Sequence, residues 1–478
     1  MMYERLSGLD ALSLHIESGA MSSHALGVLV LDPSTAPGDF GVEDVLRSLR
    51  ERAPASPAFR KRLISKPFML GQPIWAEDPQ FDVSHHIHRA SLPAPGGHPE
   101  LSDLAADIAR YPLSRRRPLW EAWVVDGLAD ERLGLIIKVS HALTDGVGGI
   151  TSLLPQLMTT DPREGFSLVA VDAPSTGLPS DRQVIGDLLH EITENTLAGI
   201  KLVAKVAPRL ARSAVTGVAG ALTNPTRRSR NSDEDDTARE PASGVPRTIL
   251  NEPLTDRRSV AMGTVALSDM RKIAEHFETT VNDVYLACLS SALREWHRCH
   301  DRIPDGPLVG FMPISTRTEG DDSPNSWTVA LIKLPMQGSD TTQRLQAITS
   351  TTRRLKKSRR SASPVNAADV TQLIPPLVAR TAATVYVDCE LGRLHAPLFH
   401  TLASNVPGPA ADIYVAGALV ERMHACAPLF AGANLSIVAV SHGDRFDLGI
   451  TACPDNVPAV DEIATSFEEA VGELLAKV

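Results

Sequence analysis

The sequence predicts a mixed α/β (α+β) layer fold in two parts, and three observations carry that prediction. Strand-like and helical patterns alternate through the N-terminal third. A polar stretch interrupts the chain near its middle, and a second mixed set of elements follows it. At 478 residues the chain also exceeds one ordinary core, which makes two domains the natural division.

His24 to Asp32 (HALGVLVLD) and Leu133 to Val139 (LGLIIKV) are apolar runs of strand length, expected to be buried. Val42 to Arg52 and Leu101 to Tyr111 carry the apolar spacing of helices. From Asp181 to Leu222 apolar residues recur at Ile185, Leu188, Ile192, Ile200, Val203, Val206 and Leu210. Lys201, Lys205, Arg209 and Arg212 share one face of that helical pattern, and Pro208 should kink it. Such a segment suits an anionic lipid surface, and it equally suits ordinary packing on a core. RRSR (227–230), DEDD (233–236) and a Pro/Ser/Gly run to Pro246 then read as a loosely held linker.

The expected division is therefore 1–180, an amphipathic helical segment with its linker over 181–248, and 249–478. In the last part helices are expected at Leu267 to Phe277 and Val281 to Cys299, with strands at Leu308 to Pro313 and Thr328 to Leu334. Strands around Ile437 to Val440 and Leu448 to Ala452 precede a closing helix from Asp461 to Ala476.

Composition excludes several classes. A net charge of −10 and 4% aromatic residues argue against a nucleic-acid binder. Five scattered cysteines without C-x-x-C spacing suit neither a disulfide framework nor a zinc site, and read as reduced thiols. Neither a signal peptide nor a membrane-spanning run is evident, so a cytoplasmic protein is expected, meeting lipid from the side if at all.

The most informative string is IIKVSHALTDGVGG (136–149). An apolar strand ends in Ser140 and His141, and a Gly-rich turn follows. This puts an imidazole at the end of a rigid strand, with Asp145 and Gly146 shaping the turn. Histidine, with a pKa of about 6.5, can take a hydroxyl proton at neutral pH. A His-x-x-x-Asp spacing alone fits a satisfied polar residue as well as a base.

The string Ser140-His141-Ala-Leu-Thr-Asp145-Gly146 resembles the HHxxxDG motif of the wax ester synthase/diacylglycerol acyltransferase family. That family lies within the chloramphenicol-acetyltransferase-like, CoA-dependent acyltransferases. Pro118-Leu119-Trp120 resembles the family's PLW element, and Asn282-Asp283 its ND element. Phe59-Arg60-x-Arg62-Leu63, Trp75 to His86, Phe311 to Arg317, Ser404 to Pro409 and Gly449 to Asp455 are similar to further family patterns in the same order. Two positions depart from the pattern. Ser140 replaces the first motif histidine, and Pro324 replaces the glycine of a Gly-Asn pair before Asn325.

The resemblance implies two chloramphenicol-acetyltransferase-like domains with an active-site channel between them. It implies acyl-CoA as co-substrate, no bound cofactor or metal, and diacylglycerol or a long-chain alcohol as acceptor. His141 would be the general base, with Ser140, Asp145 and Gly146 supporting the motif. Pro118, Leu119, Trp120, Asn282 and Asp283 would line or brace the channel. Contact with a membrane or lipid droplet fits such substrates, while oligomeric state and choice of acceptor stay open.

Duller readings stand beside these. His85, His86 and His88 would alternate faces on a strand, a poor chelating arrangement. No G-x-S-x-G elbow supports a serine hydrolase. Asn282 and Asp283 are good helix caps, and Trp120 suits a core as well as a channel. A degenerate lipid-binding paralogue and a condensation-type acyltransferase with another acceptor are the alternatives for function.

Overall fold

The computed structural model describes residues 4–143, 153–162, 178–196, 245–315, 327–338, 340–358 and 374–478. In chain order the strands are β1 His24–Asp32, β2 Lys61–Ile64, β3 Ile74–Glu77, β4 Ile87–Ser91, β5 Trp120–Asp126, β6 Leu133–Ser140 and β7 Ser259–Ala266. They continue as β8 Leu308–Ser315, β9 Trp327–Leu334, β10 Thr401–Pro407, β11 Tyr414–Val415, β12 Ala418–Cys426, β13 Leu435–His442 and β14 Arg445–Ala452. Two six-stranded sheets result, in the orders β11-β12-β1-β6-β5-β4 and β7-β14-β13-β10-β8-β9, while β2 and β3 form a small ribbon.

The first sheet is covered on both faces, which is why β1 reads as a nearly unbroken apolar run. Leu29 and Leu31 face helix Val42–Ala55, through Val45, Leu46 and Leu49. Leu26, Val28 and Val30 face helix His98–Arg110, through Leu101, Ala105 and Ile108. That helix starts earlier than its apolar period, because its first turn is a polar cap: Glu100 accepts from Gly97 N at 2.7 Å.

The second sheet packs on helices Leu267–His276, Val281–His300 and Asp461–Leu475. Val281–His300 begins with a capping box, Asp283 N donating to Thr280 Oγ1 at 3.2 Å and Thr280 Oγ1 to Asp283 Oδ2 at 2.8 Å. Helices Thr341–Ser358 and Pro376–Asp388, and the strands β10 to β12, lie outside the elements read from sequence.

The first sheet is not built from the N-terminal half alone. β12 crosses back to pair antiparallel with β1, Leu26 opposite Cys426, with a bulge between Val30 and Leu31. Its other side meets β13 and β14. Met423 N donates to Asp447 Oδ2 at 2.7 Å, and His424 Nδ1 to the Leu448 carbonyl at 2.8 Å. A Cβ at Gly449 would lie 2.2 Å from the Ala425 carbonyl oxygen, so only glycine permits this approach.

All five cysteines are free thiols, with Cys288, Cys426 and Cys453 buried. Among the described residues no helix is long and apolar enough to cross a membrane.

Candidate active site

β6 runs between β1 and β5 and is buried through Ile137. Lys138 follows, with only 1% of its surface exposed. Its ammonium donates to the Ile108 carbonyl at 2.8 Å and to the Tyr111 carbonyl, closing the C-terminal end of helix His98–Arg110. Burial pushes the Lys138 pKa down to about 8. The strand is thus tied to that helix two residues before Ser140.

Ser140 ends the strand and is 2% exposed. Its N–H donates to the Leu119 carbonyl at 3.0 Å, and its Oγ accepts from Ala142 N at 3.3 Å. Leu143 N donates to the Ser140 carbonyl at 2.9 Å, closing a tight turn. In this chain the first motif position therefore carries a small hydroxyl that satisfies the turn. His141 sits at the start of that turn, half-buried, its N–H donating to the Ser23 carbonyl at 2.8 Å. Asp145 and Gly146 lie outside the described residues.

Ser140 is in register with His24 on β1. His24 is buried, and its Nε2 donates to the Ala109 carbonyl at 2.7 Å. Burial, reinforced by Lys138, pushes its pKa down to about 3, which keeps the ring neutral. The sequence reading missed His24. Its only signal there is position at the head of the strand that pairs with β6.

Leu153, Leu157 and Met158, which follow the motif in sequence, are buried in one cluster with residues of both sheets, Leu29, Leu135 and Ile137 of the first and Leu402, Val406, Val438 and Val440 of the second.

Pro118, Leu119 and Trp120 are all buried. Leu119 packs with Ala142, beside His141, in a cluster that includes Trp75 and Leu113. Trp120 is held from every side: Nε1 donates to the Phe59 carbonyl at 2.8 Å, Phe59 meets it edge-on at 4.9 Å, and His86 stacks on it at 4.6 Å. His86 Nδ1 also donates to the Trp120 carbonyl at 2.7 Å. Three N-terminal patterns thus converge on one packed knot. Among the described residues no cluster of His, Cys, Asp and Glu could hold a metal ion.

Asn282 and Asp283 form a separate constellation on helix Val281–His300. Asp283 accepts from Thr279 Oγ1 at 2.9 Å and Thr352 Oγ1 at 2.7 Å, bracing helix Thr341–Ser358. Asn282 Oδ1 accepts from Asn405 Nδ2 of β10 at 3.4 Å, which joins the Asn-Asp element to the Ser404 to Pro409 segment. Chemically, the arrangement offers an imidazole at the exit of a rigid strand, beside a neutral second ring.

Comparison with known proteins gives one consistent result. A family profile described as "Wax ester synthase/diacylglycerol acyltransferase catalytic domain" matches residues 6–285, and its C-terminal companion, "WS/DGAT C-terminal domain", matches 324–475. A Mycobacterium tuberculosis protein named as a diacylglycerol O-acyltransferase is 33% identical over 474 residues, covering 99% of this chain and 90% of the relative. Another from that species, named as the diacylglycerol O-acyltransferase tgs1, is 29% identical, covering 95% and 92%. Among solved structures, the wax ester synthase/diacylglycerol acyltransferase from Marinobacter aquaeolei superposes with a TM-score of 0.71 at 25% identity, covering 99% of each chain. A starter condensation domain of rhizomide synthetase, at 13% identity and a TM-score of 0.50 with 99% and 94% coverage, shares the fold.

Proposed function

Because the chain belongs to the wax ester synthase/diacylglycerol acyltransferase family, we propose that it is an O-acyltransferase esterifying diacylglycerol, long-chain alcohols or both from acyl-CoA, with His141 as general base. The observation that supports the assignment of the base is the half-buried His141 directly after β6, in the family's motif position.

His141 removes the proton of the acceptor hydroxyl as its oxygen attacks the thioester carbonyl. The new C–O bond forms, the C–S bond breaks, and the proton passes to the departing CoA thiolate. Ester and free CoA result without an acyl-enzyme. His24, held neutral, places no second positive charge beside the imidazolium that forms at His141. Ser140, Asp145 and Gly146 shape the turn that aims the ring. Leu119 packs behind it, and Asn282 and Asp283 brace the opposing side of the channel between the sheets. Membrane contact is assigned to the cationic segment Lys201, Lys205, Arg209 and Arg212, each cation worth about 1 kcal/mol near an anionic surface.

The test is CoA release from palmitoyl-CoA with diacylglycerol and hexadecanol offered in parallel, by wild type and His141→Ala. Turnover by wild type with either acceptor, lost in the variant, supports the reading. Binding of lipid without CoA release supports a degenerate paralogue, and release only with an amine acceptor supports condensation-type chemistry.

A further inference from the structure

The pairing of β1 with β6 does not stop at its last strand pair, His24 opposite Ser140. Ser23 carries it one step further, its carbonyl accepting from His141 N at 2.8 Å. Ser23 is buried, and its own N–H needs an acceptor. The Glu17 carboxylate supplies one: Oε1 accepts from Ser23 N at 3.1 Å and from Ser23 Oγ at 2.6 Å. One residue is thus fixed at its N–H, its hydroxyl and its carbonyl together.

Glu17 is itself held. Its Oε2 accepts from Arg115 Nη2, which also donates to the Leu14 carbonyl at the end of helix Gly8–His15. Between Glu17 and Ser23 the chain folds back, with Ser18 N donating to the Met21 carbonyl at 2.9 Å. Arg258, just before β7 of the second sheet, donates to the Ala20 carbonyl. The stretch 17–23 is therefore pinned from both parts of the molecule, and it ends on the residue that holds the amide of His141.

An Arg–Glu pair with Arg115 about half exposed would be worth little alone. The bonds from Glu17 to Ser23 are of another kind, because they are charge-assisted and end on a buried residue. We propose that Glu17 is a positioning residue for acyl transfer, holding His141 in place through Ser23. The proposal deepens the acyltransferase reading and rests on His141 as its base. A general base must stand within hydrogen-bond reach of the acceptor hydroxyl, and a misplacement of about 1 Å can cost on the order of 100-fold in rate.

The test measures CoA release from palmitoyl-CoA, with hexadecanol or diacylglycerol, per folded molecule of the full chain. Glu17→Ala should lower kcat roughly 30-fold while KM for palmitoyl-CoA stays within about two-fold. Glu17→Gln keeps an oxygen for Ser23 and should stay within about three-fold of wild type, as should Ser23→Ala, which keeps its N–H. Adding Ser23→Ala to Glu17→Ala should cost nothing more, since both remove one linkage. In a His141→Ala background, Glu17→Ala should leave the residual rate unchanged.

Unchanged kcat in folded Glu17→Ala overturns the proposal. So does an equal loss in Glu17→Gln and Glu17→Ala, which would credit the ion pair with Arg115. A full further loss on top of His141→Ala also overturns it, by giving Glu17 a role independent of His141. If His141→Ala turns over like wild type, the base assignment falls and the catalytic role of Glu17 falls with it. Hydrogen exchange of the His141 amide, expected to be about ten-fold faster in Glu17→Ala, then still decides whether the carboxylate holds the turn.

Discussion

His442 stands a few residues before Asp447 as His141 stands before Asp145, and the fold holds the two histidines differently. At the seam between β12 and β14, His442 Nε2 donates to Asp447 at 2.9 Å, and Asp447 also accepts from Thr264 Oγ1 at 2.8 Å and from Met423 N. Both His442 and Asp447 are buried, as is His424, whose pKa burial pushes down to about 4. At the end of β6, His141 is half-buried and anchored through its main chain to Ser23. The seam spends its polar atoms on joining two sheets, whereas the turn fixes the backbone that carries its ring. Spacing alone does not separate a structural imidazole from a proton-transfer one. His442 is buried in the seam, whereas His141 is half-buried at the end of a strand.

Mutation can break that contrast. His141→Ala should lower acyl transfer by roughly two to four orders of magnitude with an unchanged melting temperature. Single-turnover CoA release on folded protein checks it, and near-wild-type rates would remove His141 from the mechanism.

Asp447→Ala should do the reverse, costing about 3–5 kcal/mol of unfolding free energy while folded protein keeps its turnover per molecule. Its pH dependence has a definite sign. Burial opposes ionisation of Asp447, but the hydrogen bonds from His442 and Met423 and the nearby His424 hold its carboxyl below the ordinary range. Its stabilisation is therefore present above the ordinary carboxyl pKa of about 4 and lost as pH falls further, through the folded value. Melting curves from neutral to acid pH should show a steeper acid loss in wild type than in the variant.

Lys138→Met sharpens the comparison at the catalytic side. It removes the donor to the buried Ile108 carbonyl and to the part-buried Tyr111 carbonyl and should cost about 1–3 kcal/mol at neutral pH. In wild type the folded pKa of about 8 lies below the unfolded 10.5, so the unfolded chain binds more protons between those values. Wild-type stability should accordingly rise across that window relative to the variant, as denaturant titrations would show. Ser140→Ala is the mildest change, about 1 kcal/mol for the lost bond to Ala142 N, with turnover nearly preserved. A large drop in turnover without unfolding would give the hydroxyl a direct part in the reaction.

Much of the site's frame is local and was therefore legible. β1 spans the predicted His24 to Asp32, and β6 runs one residue past the predicted Val139, because Ser140 still pairs with His24. Helix Val281–His300 announces itself by Thr280 and Asp283, since a cap is made within four residues. Trp120 could be read as core or channel from sequence, and only the convergence of Phe59 and His86 places it in the core. β12 was not legible. Ala418–Cys426 includes Glu421, Arg422 and His424, which blur its alternation, and its partner is remote in the chain. His24 was hidden for the same reason, since only strand pairing sets it beside the motif.

The return of β12 to the first sheet also governs how the protein is made. Leu26 and Cys426, which face each other across that ladder, are about 400 positions apart, a separation that makes pairing slow. While the chain emerges from the ribosome, β1 has β6 on one side and nothing yet to cover the other edge. That edge stays open until synthesis passes residue 426, almost the whole length of the chain. A product truncated before Ala418 would carry the motif on a sheet with a bare apolar border, prone to pair with another chain.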